Sequence, residues 1–177
     1  MSQAYCDFCA ALPANTTNPN KAYHDTEYGV PVQDDNILFE RLVLEINQAG
    51  LSWTTILNKR AAFQAAYAQF NITAVAAFGE ADIARLLGNA GIIRNRLKIQ
   101  AAIHNAQQIQ TLQKQYGSFK NWLDAHHPRS QDAWVKLFKQ HFKFMGNEIV
   151  GEFLLSTGYL AGAHEKSCPQ YRQPEKA

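Results

Sequence analysis

The segment "LFERLVLEINQAGLSWTTILNKR" at residues 38–60 predicts two helices separated by a sharp turn. Its apolar residues recur at intervals of three and four, which is the spacing of one face of an α-helix. Gly50 follows the first run as a C-terminal stop, and Ser52 precedes the second run as an N-cap. The same intervals continue along the chain, and no convincing alternating strand pattern occurs beyond residue 34. We therefore predict a nearly all-helical protein.

Other parts of the chain show where helices end. Pro128 disfavours a helical conformation at His127, so "HHPRS" at 126–130 is the best internal linker. The first 22 residues and the polar segment from residue 165 onward are predicted to be irregular. The predicted helices span about 34–49, 52–67, 71–78, 80–87, 94–115, 131–140 and 145–160.

Composition narrows the class of protein. The chain has 177 residues, of which 46% are hydrophobic and 11% aromatic, enough for the core of one compact domain. The formal net charge of +2 neither suggests nor excludes DNA binding, so affinity for an anion must come from local basic clusters. No secretory signal or membrane span is evident, and three cysteines fit a reducing compartment. We expect a cytoplasmic protein.

Glu45 is a carboxylate inside an apolar pattern. Leu38, Leu42, Glu45 and Ala49 are spaced by four, three and four residues, so they share one stripe of a helix. A carboxylate that points inward must be hydrogen-bonded, be protonated or border a cavity that a polar ligand enters. The alternative is that Glu45 lies at the edge of the stripe, where it caps backbone or pairs with a lysine.

Aromatic residues flank the helix that carries Glu45. Tyr23 and Tyr28 precede it, and Trp53 follows it. A carboxylate among aromatic faces suits a flat, nitrogen-rich, electron-poor ring. An ordinary hydrophobic core explains the same aromatics equally well.

Two pairs of sulfur and imidazole ligands lie at opposite ends of the chain. His164 and Cys168 are four residues apart, and Cys6 and His24 form the second pair. Together they complete a tetrahedral shell with no position for water, as in a structural zinc site that pins the termini together. Buried thiols without a metal are the alternative interpretation.

Several longer segments resemble the bacterial type I 3-methyladenine DNA glycosylases, and the match runs in order over nearly the whole chain. The resemblance implies an all-helical fold of the helix-hairpin-helix glycosylase superfamily, in which a zinc ion holds the chain ends. The matching segments are "AYHDTEYGVP" at 22–31, the opening segment at 38–60, "AGIIRNRLKIQA" at 90–101, "FKFMG" at 142–146 and "AHEKSC" at 163–168.

The resemblance also implies roles for individual residues. Glu45 matches the pocket glutamate that hydrogen-bonds the methylated adenine, and Tyr23 and Trp53 match aromatics that line the pocket. Tyr28 and Phe8 stand where the family usually has tryptophan, and each keeps an aromatic face. These five residues are the expected catalytic and substrate-binding set.

The same resemblance implies that Cys6, His24, His164 and Cys168 bind the zinc. Cys6 belongs to "YCDFC", which aligns with a family motif whose first cysteine is the ligand. Cys9 lies in the same short motif and competes for that role.

Some positions depart from the family pattern next to the expected sites. Ile46 adds bulk and Asn47 shortens an amide beside Glu45, so the pocket is expected to change shape. His141 replaces a glycine before "FKF", and Asn147 and Glu148 stand where a proline or a small residue is typical. A negative charge at a helix start that faces phosphate is expected to weaken DNA binding.

Two basic segments are candidates for DNA contact. "KLFKQHFK" contains Lys136, Lys139 and Lys143 without an intervening acid, and "RNRLK" begins with Arg94 and Arg96. Ordinary solvated helix faces have the same composition, so this assignment is a hypothesis.

Three function classes follow. The first is a monofunctional glycosylase, active as a monomer, that flips and hydrolytically excises 3-methyladenine from double-stranded alkylated DNA without a covalent lysine intermediate. The second is a zinc-stabilised DNA-binding homologue with altered or lost excision. The third is a helical interaction protein whose aromatics only form its core. Base release from methylated DNA separates the first class from the other two.

Overall fold

The computed structural model describes residues 2–171, and within that range the regular structure is entirely helical, which confirms the prediction of an all-helical protein. A short 3-10 helix, Ala68–Phe70, connects the fourth and fifth α-helices. The α-helices are α1 (Ser2–Ala10), α2 (Pro19–Thr26), α3 (Asp35–Gln48), α4 (Trp53–Ala66), α5 (Ile72–Ala76), α6 (Glu80–Leu87), α7 (Arg96–Tyr116), α8 (Phe119–His126), α9 (Gln131–His141) and α10 (Asn147–Ser156).

The turn between α3 and α4 forms as the opening segment predicts. The Asp34 carboxylate caps α3 by accepting a hydrogen bond from the Asn36 amide at 2.8 Å. Ser52 caps α4 by accepting one from the Thr55 amide at 3.2 Å. Gly50 has a φ of +83°, which favours glycine and reverses the chain between the helices.

Helix α3 is the central element of the fold. It contacts α4, α5, α7, α8 and α10, and every residue from 38 to 47 is buried. Because neighbours cover it on all sides, its polar residues Glu40, Arg41 and Glu45 lie in the interior. They therefore need partners or a cavity.

The prediction that the first 22 residues are irregular is wrong, because α1 and the start of α2 lie there. Asn18 caps α2 through a hydrogen bond from the Asn20 amide, and Pro19 occupies its first turn, where no amide donor is needed. The Tyr5 ring on α1 packs edge-on against Tyr28 at 5.5 Å. Tertiary contacts thus support helices too short to show a clear period.

Helix α8 was not predicted, although the helix before it and the break after it were. Ser118 caps it by accepting a hydrogen bond from the Asn121 amide, and Trp122 buries its indole in the core. The helix ends at His126, and α9 begins at Gln131, so the predicted break at "HHPRS" is confirmed.

A close backbone approach joins the loop after α2 to the C-terminal segment. Gly29 has a φ of +74°, and a Cβ there would lie 2.7 Å from the Ala163 Cβ and 3.3 Å from the His164 ring. Its amide donates to the Ser156 carbonyl at 3.0 Å. Glycine at this position lets the end of the chain pack directly against the segment before α3.

The predicted irregular C-terminal tail is only partly described, since residues 172–177 lie outside the described range. Over the described part, residues 165–171 form turns but no helix. The helices of this range are all too short or too polar to span a bilayer.

Candidate functional site

A cavity of about 620 Å³ lies between the C-terminal end of α3 and the start of α10. One wall comes from α3 and the turn after it, and the other comes from Gly146 and the first turns of α10. Three of its lining residues are acidic. The lining residues are Glu45, Gln48, Ala49, Gly50, Leu51, Gly146, Asn147, Glu148, Ile149 and Glu152.

Glu45 borders this cavity although only 3% of its surface is exposed to solvent. The prediction that it points inward is confirmed. Burial and, after it, the charge of Glu152 raise the pKa of Glu45, Arg41 opposes the shift, and the resulting pKa is about 8. An empty cavity therefore holds Glu45 largely protonated at neutral pH, whereas a bound cation would favour its ionised form.

A buried ion network lies behind Glu45. Arg41 donates one hydrogen bond to the Tyr23 hydroxyl at 2.9 Å and another to the Glu27 carboxylate at 2.6 Å. Arg60 bridges Glu27 and Glu40 at 2.7 and 2.8 Å. Glu27 compensates the charge of Arg41, and Arg60 compensates the charge of Glu40. Glu45 is the acid of α3 that borders the cavity.

Three of the four predicted aromatic residues form a buried group with contacts between their rings. Tyr23 and Trp53 make an edge-to-face contact with ring centroids 5.2 Å apart, and Tyr23 and Tyr28 lie 5.9 Å apart. All three are buried and are not among the lining residues. Phe8 lies on α1 with 44% of its surface exposed, away from the residues that line the cavity.

Glu152 was missed by sequence reasoning. It lies on α10, lines the cavity and accepts a hydrogen bond from the Tyr28 hydroxyl at 3.2 Å. Its neighbours Gly151 and Phe153 are both buried. An acid flanked by apolar residues of a helix was the available signal, the same kind of signal that identified Glu45.

Lys98 was expected to contact DNA together with Arg94 and Arg96, but it is buried and fixes the rim of the cavity instead. Its ammonium group donates to the carbonyls of Asn47 and Ala49 at 3.1 and 3.2 Å. These are carbonyls at the end of α3 that lack partners within the helix. Burial lowers the pKa of Lys98. The side chain thus turns inward from a segment interpreted as a DNA contact.

The departures beside Glu45 do not reach the cavity. Ile46 is fully buried in the core, and the Asn47 amide donates to the Val43 carbonyl at 2.8 Å. Neither residue lines the cavity. Consecutive residues of a helix point about 100° apart, so a change next to Glu45 in sequence faces another neighbour.

Four predicted ligands meet at one point. The ligand atoms of Cys6, His24, His164 and Cys168 all lie within 4.8 Å of one another, so the cluster could hold a metal ion. Cys9 lies elsewhere, fully buried, with its sulfur 3.7 Å from the Asn20 carbonyl. The structure therefore brings Cys6, and not Cys9, into the cluster.

Both histidines of the cluster have a second partner that orients the ring. The His24 Nδ1 lies 2.8 Å from the Asp25 carboxylate, and its Nε2 faces the cysteines. The His164 Nε2 lies 2.8 Å from the Tyr28 carbonyl, and its Nδ1 faces them. Such outer partners fix the ring nitrogen that is offered to a metal.

The four predicted DNA-binding residues are exposed at three places. Lys139 lies on α9, and Lys143 lies in the α9–α10 connection. Arg94 and Arg96 lie at the start of α7, where Arg96 contacts the Glu80 carboxylate at 3.2 Å. Contact of these residues with DNA stays a prediction.

Comparison with known proteins agrees with these features. A family model described as methyladenine glycosylase matches residues 14–136. The DNA-3-methyladenine glycosylase 1 of Escherichia coli (strain K12) is 38% identical over 169 residues, covering 85% of this chain and 90% of that protein.

Solved structures agree over still more of the chain. A structure of 3-methyladenine DNA glycosylase I from Staphylococcus aureus, described as the basis of 3-methyladenine recognition, matches with a TM-score of 0.80 and 30% identity. The match covers 98% of this chain and 99% of that one. A variant of a 3-methyladenine DNA glycosylase I in complex with 3-methyladenine matches with a TM-score of 0.79 and 28% identity, over 97% and 99% of the two chains.

The buried Glu45 carboxyl predicts a pH-dependent difference in stability between the parent protein and Glu45→Gln. Its pKa is about 8 in the folded state against an ordinary value of 4.5. Stability gained from a raised pKa is complete below the unfolded value and is lost as pH rises through the folded value. We expect the melting temperature of E45Q to rise relative to the parent between about pH 5 and about pH 8, as measured by scanning calorimetry. Parallel melting curves would contradict this assignment.

Proposed function

The chain belongs to the methyladenine glycosylase family, and we propose that it excises 3-methyladenine from alkylated DNA in base-excision repair. The observation that carries this proposal is the Glu45 carboxylate at the wall of a cavity of about 620 Å³, a volume that admits a purine. Fold, family and pocket thus support the same activity.

Charge is the property that separates the damaged base from normal adenine. A purine nucleotide methylated at N3 is a cation, and its glycosidic bond is already weakened. Ionised Glu45 accepts a hydrogen bond from the exocyclic amino group of that cation, and such a charge-assisted bond is the stronger kind. Neutral adenine brings no positive charge to offset the cost of ionising a buried carboxylate, so adenine binds less tightly than the cation.

The reaction is hydrolysis in a single displacement. The oxygen of water bonds to the anomeric carbon while the bond from that carbon to N9 breaks. Its electron pair stays on the base, which leaves as neutral 3-methyladenine, and the proton of water passes to solvent. None of the described residues that line the cavity is a lysine, which supports a reaction without a covalent amine intermediate.

Trp53 and Tyr23 are proposed to bound the base slot on the side of α4. The indole nitrogen of Trp53 is buried and has no hydrogen-bond partner among the described residues. Such atoms are rare in folded proteins, and a ligand group is one explanation for them. Tyr28 reaches the slot through its contact with Glu152. The role of Phe8 stays a prediction that rests on the resemblance.

DNA is proposed to bind across the start of α10. Helices α9 and α10 with their connection at 142–146 correspond to the helix-hairpin-helix element of the family resemblance. The amides at the start of α10 suit a phosphate and the exposed Lys139 and Lys143 add positive charge, whereas the Glu148 carboxylate in the first turn of α10 opposes phosphate binding there. The damaged nucleotide would leave the stack to enter the adjoining cavity, at a cost of a few kcal/mol.

A structural zinc ion is proposed at the four-ligand cluster. A tetrahedral zinc with bonds of about 2.3 Å to sulfur and about 2.0 Å to nitrogen separates those ligand atoms by about 3.5 Å. The four adjacent sulfur–nitrogen distances are 3.5, 3.6, 3.6 and 3.7 Å. Four protein ligands close the shell, so the zinc would stabilise the fold and take no part in hydrolysis.

The structure does not favour the alternative that departures from the family pattern have abolished excision. Ile46 and Asn47 face away from the cavity, and His141 packs its ring against Trp122 at 5.4 Å. Glu148 does line the cavity, where it adds negative charge that favours a cationic base.

We further propose that the protein works as a monomer on double-stranded DNA in the cytoplasm.

Replacing Glu45 by Gln should slow base release because it removes the ionisable acceptor while keeping the shape of the side chain. Removal of one preorganised electrostatic group costs on the order of 10²-fold in rate. Single-turnover release of 3-methyladenine from methylated duplex DNA, followed by chromatography, measures this effect. Circular dichroism of the variant verifies its fold, and release at the parent rate would remove Glu45 from the site.

Cys6→Ser should lose the bound metal, whereas Cys9→Ser should keep it. Cys6 contributes a ligand atom to the cluster, and Cys9 does not. Elemental analysis of the purified chains should find about one zinc per chain in the parent and in C9S, and near none in C6S. A chelator should lower the melting temperature of the parent, and added zinc should restore it. Equal zinc in both variants would refute this ligand set.

Lys143→Ala should weaken DNA binding with little dependence on sequence. If Lys143 neutralises one phosphate, the slope of log affinity against log salt should flatten by about 1. Lys114→Ala is the matched control, because Lys114 is equally exposed but lies at the far end of α7. Fluorescence anisotropy on one duplex over a salt series measures both slopes. An unchanged slope for K143A would exclude this contact.

A further inference from the structure

The cavity has a second carboxylate that faces the ligand space from the helix opposite Glu45. Glu45 lies near the end of α3, and Glu152 lies in the second half of α10. Both line the same cavity together with the exposed Glu148, so a molecule that fills it lies among three acids, of which Glu45 and Glu152 are the less exposed. The proposed function requires only that one of them recognise the base.

Glu152 is held in a fixed position. The Tyr28 hydroxyl donates to one of its oxygens at 3.2 Å. The Tyr28 ring is itself 2% exposed and is held edge-on by Tyr5 and His164, each with a centroid 5.5 Å away. A rigid donor on a buried ring leaves the carboxylate few alternative positions. Glu152 therefore differs from a solvated surface acid, whose charge would be screened.

The two carboxylates also interact with each other. The charge of Glu152 is one of the causes that raise the pKa of Glu45, after burial itself. Two acids that repel each other across a cavity both gain when a cation enters between them, because it neutralises the repulsion. A neutral ligand of the same shape brings no such gain.

We propose that Glu152 is a second recognition residue of this pocket, whose carboxylate faces the bound base together with Glu45 and favours cationic purines over neutral ones. This inference rests on the proposed function. It has a consequence for turnover, because the substrate base is a cation and the released 3-methyladenine is neutral. The pocket then holds its substrate more tightly than its product.

The test compares two ligands of similar shape and different charge. 3,9-Dimethyladeninium is a permanent cation that imitates the alkylated nucleotide, and 3-methyladenine at about pH 8 is its neutral counterpart. Isothermal titration calorimetry gives both dissociation constants, and their ratio is the cation preference. For Glu152→Gln we expect this preference to fall roughly tenfold, because one partly buried charge is removed at short range.

A matched control separates this effect from a general change in charge. Asp132→Asn removes an exposed acid on α9 that does not line the cavity, and its cation preference should equal that of the parent. Removal of Glu152 also changes the protonation of Glu45, so the comparison is repeated between E45Q and the double variant E45Q/E152Q. The cation preference should also fall from E45Q to E45Q/E152Q, because in E45Q the cavity keeps two acids, Glu148 and Glu152, and Glu152 is the less exposed of the two.

The outcomes distinguish this inference from the proposed function. If the parent releases 3-methyladenine from methylated DNA but E152Q keeps the parental cation preference in both backgrounds, the inference is overturned. An equal loss of affinity for both ligands would also overturn it, since that result describes a structural role. If the parent releases no base from methylated DNA, the proposed function fails, whatever the ratio of dissociation constants.

Discussion

The burial of polar residues on α3 is the constraint on which the rest of the structure depends. Five helices contact α3, so its charged residues have no route to bulk solvent. Arg41 meets this requirement through Glu27 and Tyr23, and Glu40 meets it through Arg60. Glu45 borders a cavity instead, and its pKa rises because burial and a second acid oppose its charge. This difference supports the proposed site for a cationic ligand.

The cluster of Cys6, His24, His164 and Cys168 is linked to the pocket through Tyr28. His164 contacts the carbonyl of Tyr28, and the hydroxyl of Tyr28 donates to Glu152 at the cavity wall. Two links therefore connect the joined termini to a pocket residue. Cys6 and Cys168 are far apart in sequence, and closing so long a loop costs entropy that a metal bound only in the folded state offsets. Gly29 permits this contact, because any side chain there would collide with Ala163.

The burial of α3 also explains why the departures from the family pattern next to Glu45 leave the cavity intact. Ile46 and Asn47 follow Glu45 directly, yet a helix turns them into the core and towards its own backbone. Lys98 then holds the carbonyls of Asn47 and Ala49, so the rim of the cavity is set by a residue fifty positions away. Substitutions next to a binding residue in sequence thus matter less than a distant residue that fixes the end of its helix.

The sequence by itself determined the helical class, the cap at Ser52, the turn at Gly50 and the place of Glu45 on an apolar stripe of its helix. These features depend on residues a few positions apart, where helical period and capping chemistry act. Only the tertiary structure decided that Cys6 rather than Cys9 joins the cluster, that Lys98 turns inward and that Glu152 faces Glu45. It also revealed α1 and α8, which are too short to show a period. Such features arise from contacts between segments that are distant in the chain, so local sequence patterns do not predict them.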